Sequence, residues 1–113
     1  MMYMAEDNPL INGVEQFIAR HGAVNCYIEI TNNTNRRFRE HNVLDNNGHY
    51  TDNRCDGLSG DAGTEQNARA IEESFLERFE NIIAGGPGGG DPEDNPHFVY
   101  VYRVVAGSTN EDA

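Results

Sequence analysis

Apolar residues fall at helical spacing in two stretches of this chain and at strand spacing in two others, and the residues between them set an expected order. Over residues 8–21, Leu10, Val14, Phe17 and Ile18 share one face at the 3.6 period. Asn8 supplies an N-cap, Pro9 suits the first helical position and Gly22 supplies the stop, so the segment predicts a helix. Residues 23–31 alternate instead. Val24, Cys26, Ile28 and Ile30 point one way and Asn25, Tyr27, Glu29 and Thr31 the other, which predicts a strand with one wet face. Asn32 to Asn35 read as a turn. Residues 36–44, carried by Phe38, Val43 and Leu44, predict a second strand. Asp45-Asn46-Asn47-Gly48 reads as a hairpin turn, with a short third strand from His49 to about Arg54.

The clearest periodicity lies further on. Thr64 caps a helix predicted over 64–84, with Ile71, Phe75, Leu76, Phe79, Ile82 and Ile83 on one side and Glu72, Glu73, Glu77 and Glu80 on the other. Residues 85–96, rich in glycine, proline and acid, read as a flexible linker. Residues 97–107 follow as a strand that is apolar on both faces, and hence central or covered. The expected architecture is a two-layer α+β domain of order α-β-β-β-α-β, with both helices on one face of an antiparallel sheet. One domain over residues 8–106 carries the core, and residues 1–7 and 107–113 are expected to be flexible ends.

Charge narrows the function. The chain of 113 residues has a net charge of −11, and all eight of its basic residues are arginine. This balance argues against a protein that coats nucleic acid or anionic membrane. Residues 8–84 hold twelve acids and seven arginines, so their own balance is milder. No run is long and apolar enough for a membrane span, and the opening MMYMAED has no leader pattern, so either a cytoplasmic location with reduced cysteines is expected or a leader has been removed.

Candidate chemistry is sparse. The glycine run at 85–90 follows a helix and opens into a strand, the reverse of a phosphate loop. Asp52, Asp56, Ser59 and Asp61 resemble a calcium loop only in composition, because Arg54 stands at a ligand position and no closing glutamate follows. Cys55 near His49 lacks a third group, and neighbouring acids suppress its thiolate. His21 suits a helix C-terminus without further role. Asn32-Asn33-Thr34 matches a glycosylation sequon and reads first as a turn. No catalytic residue, metal site, cofactor or small-molecule substrate is expected.

Several local features resemble the double-stranded RNA-binding domain over about two thirds of the chain. They are Pro9 opening a helix with Glu15 beyond it, Arg36-Arg37 leading into Phe38, and Gly63-Thr64-Glu65-Gln66-Asn67-Ala68-Arg69 opening the second helix. The departures fall on the family's functional positions. Glu65 and Gln66 stand where the family has its phosphate-binding lysines, and Thr31, Asn32 and Thr34 where its first loop probes the minor groove. The resemblance therefore implies a degenerate member serving as a protein-docking or dimerisation surface. The expected function is a non-catalytic, self-associating protein-interaction module, with Phe98, Tyr100 and Tyr102 as its surface and a protein partner or a second copy as its ligand. Two alternatives remain open. One is weak duplex-RNA binding through Glu15, Arg36, Arg37, Arg39 and Arg69, and the other an acidic inhibitor or nucleic-acid mimic that blocks a basic partner.

Overall fold

The computed structural model describes residues 8–85 and 93–113. The expectations for residues 1–7, and for most of the 85–96 linker, lie outside the described residues.

Helix α1 (Pro9–His21) starts as its capping residues dictate, with Asn8 Oδ1 accepting from the amides of Leu10 at 2.9 Å and Ile11 at 3.1 Å. A 3₁₀ turn (Ala23–Asn25) leads into β1 (Cys26–Thr31), which is shorter at its start than the alternation suggested and leaves Val24 exposed. Helix α2 (Thr34–Glu40) follows, then a long irregular stretch, then β2 (Gly57–Asp61). Helix α3 (Glu65–Arg78) begins where Thr64 Oγ1 accepts from the Asn67 amide at 3.0 Å. Two short steps complete the sheet, β3 (Ile83–Ala84) and β4 (Phe98–Arg103).

The four strands stand in the order β2-β4-β1-β3. β4 runs antiparallel to both neighbours, with Ile28 opposite Val101 and Leu58 opposite Val101 from the other side. β3 runs parallel to β1. The α+β class expected from the sequence is thus present, but the sheet is mixed, and among the described residues three helices rather than two accompany it.

Two clusters form, one on each face of the sheet. Helices α1 and α3 cover the first, where Val14, Phe17, Ile18, Ala68, Ile71, Phe75 and Ile82 meet Cys26, Ile28, Ile30, Val99 and Val101. Burying such a set drives the packing at roughly 25 cal/mol per Å² of apolar surface. The second cluster joins Tyr27, Phe38, Val43, Cys55, Tyr100, Tyr102 and Val105. Its cover is α2, the irregular stretch, and the C-terminal residues. Cys26 and Cys55 fall in different clusters, and both are free thiols.

Several expectations are corrected here. The second strand expected over 36–44 is helix α2, because Asn33 Oδ1 caps it at the Arg36 amide and its buried face consists of Arg37, Phe38 and, just past its end, His41. The third strand expected near 49–54 reduces to a single bridge between Leu44 and Tyr50. The three-strand meander implied by the RNA-binding-domain resemblance is therefore not what residues 26–61 build. The helix expected to reach residue 84 stops at Arg78, which frees Ile83 and Ala84 to pair with β1. The wet face expected for β1 is buried at Tyr27 and Thr31. Residues 107–113, expected to be loose, are fastened instead. The Asn110 amide donates to the His41 carbonyl at 2.7 Å, and Asn42 Nδ2 donates to the Ser108 carbonyl at 2.7 Å. Among the described residues, no helix is long and apolar enough to cross a membrane.

Candidate functional site

The densest gathering of reactive side chains lies on the second face of the sheet, and strand alternation puts it there. Tyr27 and Glu29 on β1 stand opposite Tyr102 and Tyr100 on β4, so four polar-tipped side chains project from one face as two cross-strand pairs. Tyr27 and Tyr102 stack with ring centroids 4.9 Å apart, and Phe38 meets Tyr100 edge-on at 5.5 Å. Onto this layer α2 lowers Arg37, and the turn after it adds His41, four residues on and hence on the same side.

Every tip finds a partner. Glu29 Oε1 accepts from Arg37 Nη2 at 2.8 Å and from the Tyr100 hydroxyl at 2.7 Å, while Glu29 Oε2 accepts from the Tyr27 hydroxyl at 2.9 Å. Arg37 Nη1 also donates to Glu40 Oε1 at 2.6 Å, and the Tyr102 hydroxyl donates to Glu111 Oε2 at 2.9 Å. His41 is fully buried. Its Nδ1 lies 2.7 Å from the Asn110 carbonyl, which can only accept, so the proton is assigned to Nδ1. Its Nε2 then accepts from Arg37 Nη2 at 3.2 Å, because the Tyr100 hydroxyl 2.9 Å away gives its one proton to Glu29.

The electrostatics follow from burial. Desolvation lowers the His41 pKa, and the Arg37 charge adds to the effect, so the ring is neutral. Burial and the Glu29 carboxylate push the Tyr27 and Tyr100 hydroxyls well above their ordinary range. Burial and Glu111 do the same to Tyr102. Burial opposes the Arg37 charge, but hydrogen bonds to Glu40, Glu29 and Tyr100 outweigh it and hold that charge more firmly than usual. Arginine, histidine and three tyrosines thus satisfy one another beneath the C-terminal residues. This arrangement stabilises a particular packing of α2 and the chain end.

Of the residues singled out for RNA, α2 carries Arg36, Arg37 and Arg39, while α1 carries Glu15 and α3 carries Arg69. Arg37 is inside this network. Arg36 pairs with Glu93 at 2.8 Å, Arg69 with Glu65 at 2.8 Å on α3, and Glu15 with Arg78 at 3.5 Å. Arg39 is exposed. The surface expected at Phe98, Tyr100 and Tyr102 is corrected too: both tyrosines are completely buried, and Phe98 is half-buried. The candidate calcium ligands disperse, Asp52 to Arg54 at 2.9 Å and Asp56 to His21 at 2.8 Å and Arg20 at 3.6 Å. The Cys55 thiol lies 3.6 Å from the Thr51 hydroxyl, and His49 is exposed. Burial pushes the Cys26 thiol up to about 11, away from nucleophile chemistry.

Two grooves open beside α1. One, of about 520 Å³, runs between α1 and β2 over Leu10, Gly13, Leu58 and Gly60. The other, of about 530 Å³, lies between α1 and α3 over Ile11, Ala70 and Ile71. Neither is lined by histidine, cysteine, tyrosine or arginine. No protein-family model, no curated protein and no solved structure matches this chain.

Proposed function

We propose that this chain is a non-catalytic protein-interaction module whose partner surface is basic. The distribution of charge partners carries the reading. Arg20, Arg36, Arg37, Arg54, Arg69 and Arg78 are each paired with carboxylates of the same chain. Glu73, Glu77 and Glu80, by contrast, stand exposed along and just beyond α3, and no ion pair joins them to a described residue. A row of acids with no described partner, on a chain of net charge −11, attracts a basic surface and repels phosphate. Containment of the Arg37, His41 and tyrosine groups within the fold supports the non-catalytic part.

Duplex-RNA binding, the first alternative, gains no assembled arginine surface. Self-association through β4 loses its surface, because both faces of that strand are covered from within the chain. The acidic-mimic reading shares the proposed partner chemistry and differs only in consequence. The test is an anisotropy titration with a labelled arginine-rich peptide and with a short RNA duplex, at low and at physiological salt. The peptide is expected to bind and to weaken as salt rises. The duplex is expected to bind no tighter than about 10⁻⁵ M at physiological salt. RNA binding tighter than the peptide's would overturn the proposal.

A further inference from the structure

Strand β2 is an outer strand of the sheet, and its hydrogen-bond parity shows which of its groups are unused. The Arg103 amide donates to the Asp56 carbonyl at 3.0 Å and the Ala62 amide to the His97 carbonyl at 2.7 Å. In an antiparallel ladder this directs the main-chain groups of Leu58 and Gly60 toward β4 and those of Gly57, Ser59 and Asp61 away from it. The Gly57 amide turns back to its neighbour Asp56 Oδ1 at 3.0 Å. The amides of Ser59 and Asp61, and the carbonyls of Gly57, Ser59 and Asp61, therefore face outward with no described partner, and Ser59 and Asp61 are exposed.

Proteins ordinarily blunt such an edge with lysine, proline or a bulge. Residues 57–61 contain neither lysine nor proline, and they pair with β4 in unbroken register. Beside the edge, on the α1 side, lies the groove over Leu10, Gly13, Leu58 and Gly60. Gly60 sets its floor by letting Leu10 pack close to the strand, since a Cβ there would meet Leu10 Cδ1 at 2.6 Å. A strand laid along β2 would send alternate side chains into that groove and its main chain onto the free groups.

We propose that the β2 edge binds an extended basic peptide segment by strand addition, with apolar side chains in the α1–β2 groove and basic ones near Asp61. The inference rests on the reading of this chain as a module for a basic partner and adds to the acidic face of α3 a second contact surface and its mode. Charge decides the occupant. Two copies of a chain of net charge −11 repel, and β2 itself offers only Leu58 as a large apolar residue, so a second copy would gain little from pairing here.

The experiment uses the whole chain and a capped peptide of alternating arginine and valine, followed by anisotropy and by amide hydrogen exchange. Binding is expected, with the Ser59 and Asp61 amides gaining protection. Ser59→Pro removes one outward amide without touching the β4 ladder and is expected to weaken binding by about tenfold, whereas Ser59→Ala is expected to bind as wild type. Asp61→Asn removes the charge but keeps an acceptor for the Gly63 amide, and it is also expected to weaken binding, so the test survives if the proline variant fails to fold. Peptide binding without protection of Ser59 and Asp61, and unaffected by these variants, would overturn strand addition while leaving the basic-partner reading intact. No binding of this peptide or of any arginine-rich one would overturn both. Protection at Ser59 that rises with protein concentration alone would assign the edge to a second copy and overturn the peptide proposal.

Discussion

Arg37, which is buried, and Glu29, which is partly buried, form an ion pair at 2.8 Å that ties α2 to β1 across the second face of the sheet. Their burial makes the pair costly to break from one side. Arg37→Met leaves Glu29 uncompensated beside Glu40 and is expected to destabilise the chain by about 3–5 kcal/mol in urea denaturation. Adding Glu29→Gln removes the stranded charge, so the double variant is expected to recover part of that loss. A single variant that unfolds with the wild type would show that this network does not hold α2 in place.

Phe75 and Phe79 both lie on the apolar side expected for α3, yet they are not equivalent. Phe75 is almost completely buried in the first cluster, while Phe79 is only partly buried and sits just past the helix end. Phe75→Ala is expected to cost about 3–5 kcal/mol by lost transfer and cavity formation, and Phe79→Ala clearly less. Thermal melts of the two variants check the order. Equal losses would mean that the end of α3 is packed more tightly than its burial indicates.

Glu72 gives the stability a recognisable pH dependence. Burial, and next the charge of Glu29, raise its carboxyl from 4.5 to about 7. Between those values the folded state holds a proton that the unfolded state releases, so this group's contribution to stability falls as pH rises from about 4.5 to 7. His41 acts with the opposite sign. Its lowered pKa means that the unfolded state takes up protons more readily, so stability is lost as pH falls below 6.5. The two partly offset in the wild type, and Glu72→Gln separates them. Its stability relative to wild type is expected to rise across that window in melts from pH 4 to pH 8. A flat difference would contradict the burial of this carboxyl.

The sequence-based expectations succeeded where a burial pattern is apolar and failed where it is not. Asn8, Pro9 and Gly22 mark α1, Thr64 marks the start of α3, and the two-sided apolar run of β4 indicated its central place. Helix α2 was hidden because Arg37 and His41, which it buries, look like surface residues. Their spacing of four, set beside the polar-aromatic pairs Tyr27/Glu29 and Tyr100/Tyr102, is the signal that a shared interior layer leaves in the sequence. Strand β2 was hidden because Gly57 and Gly60 lower strand propensity. The structure needs both, since a Cβ at Gly57 would meet the Phe38 ring at 2.9 Å and one at Gly60 would meet Leu10. The tyrosines expected as a docking surface carry hydroxyls whose partners, Glu29, His41 and Glu111, lie far apart in sequence, so no local pattern announced their burial.

The basic-partner claim is tested most directly by titrating an arginine-rich peptide into the wild-type chain and into the variant Glu73→Gln/Glu77→Gln/Glu80→Gln at about 50 and about 200 mM salt. Since each exposed charge contributes a few tenths to one kcal/mol, removing three is expected to weaken binding by about tenfold at the lower salt and to flatten its salt dependence. Equal affinity and equal salt dependence in the two proteins would contradict it.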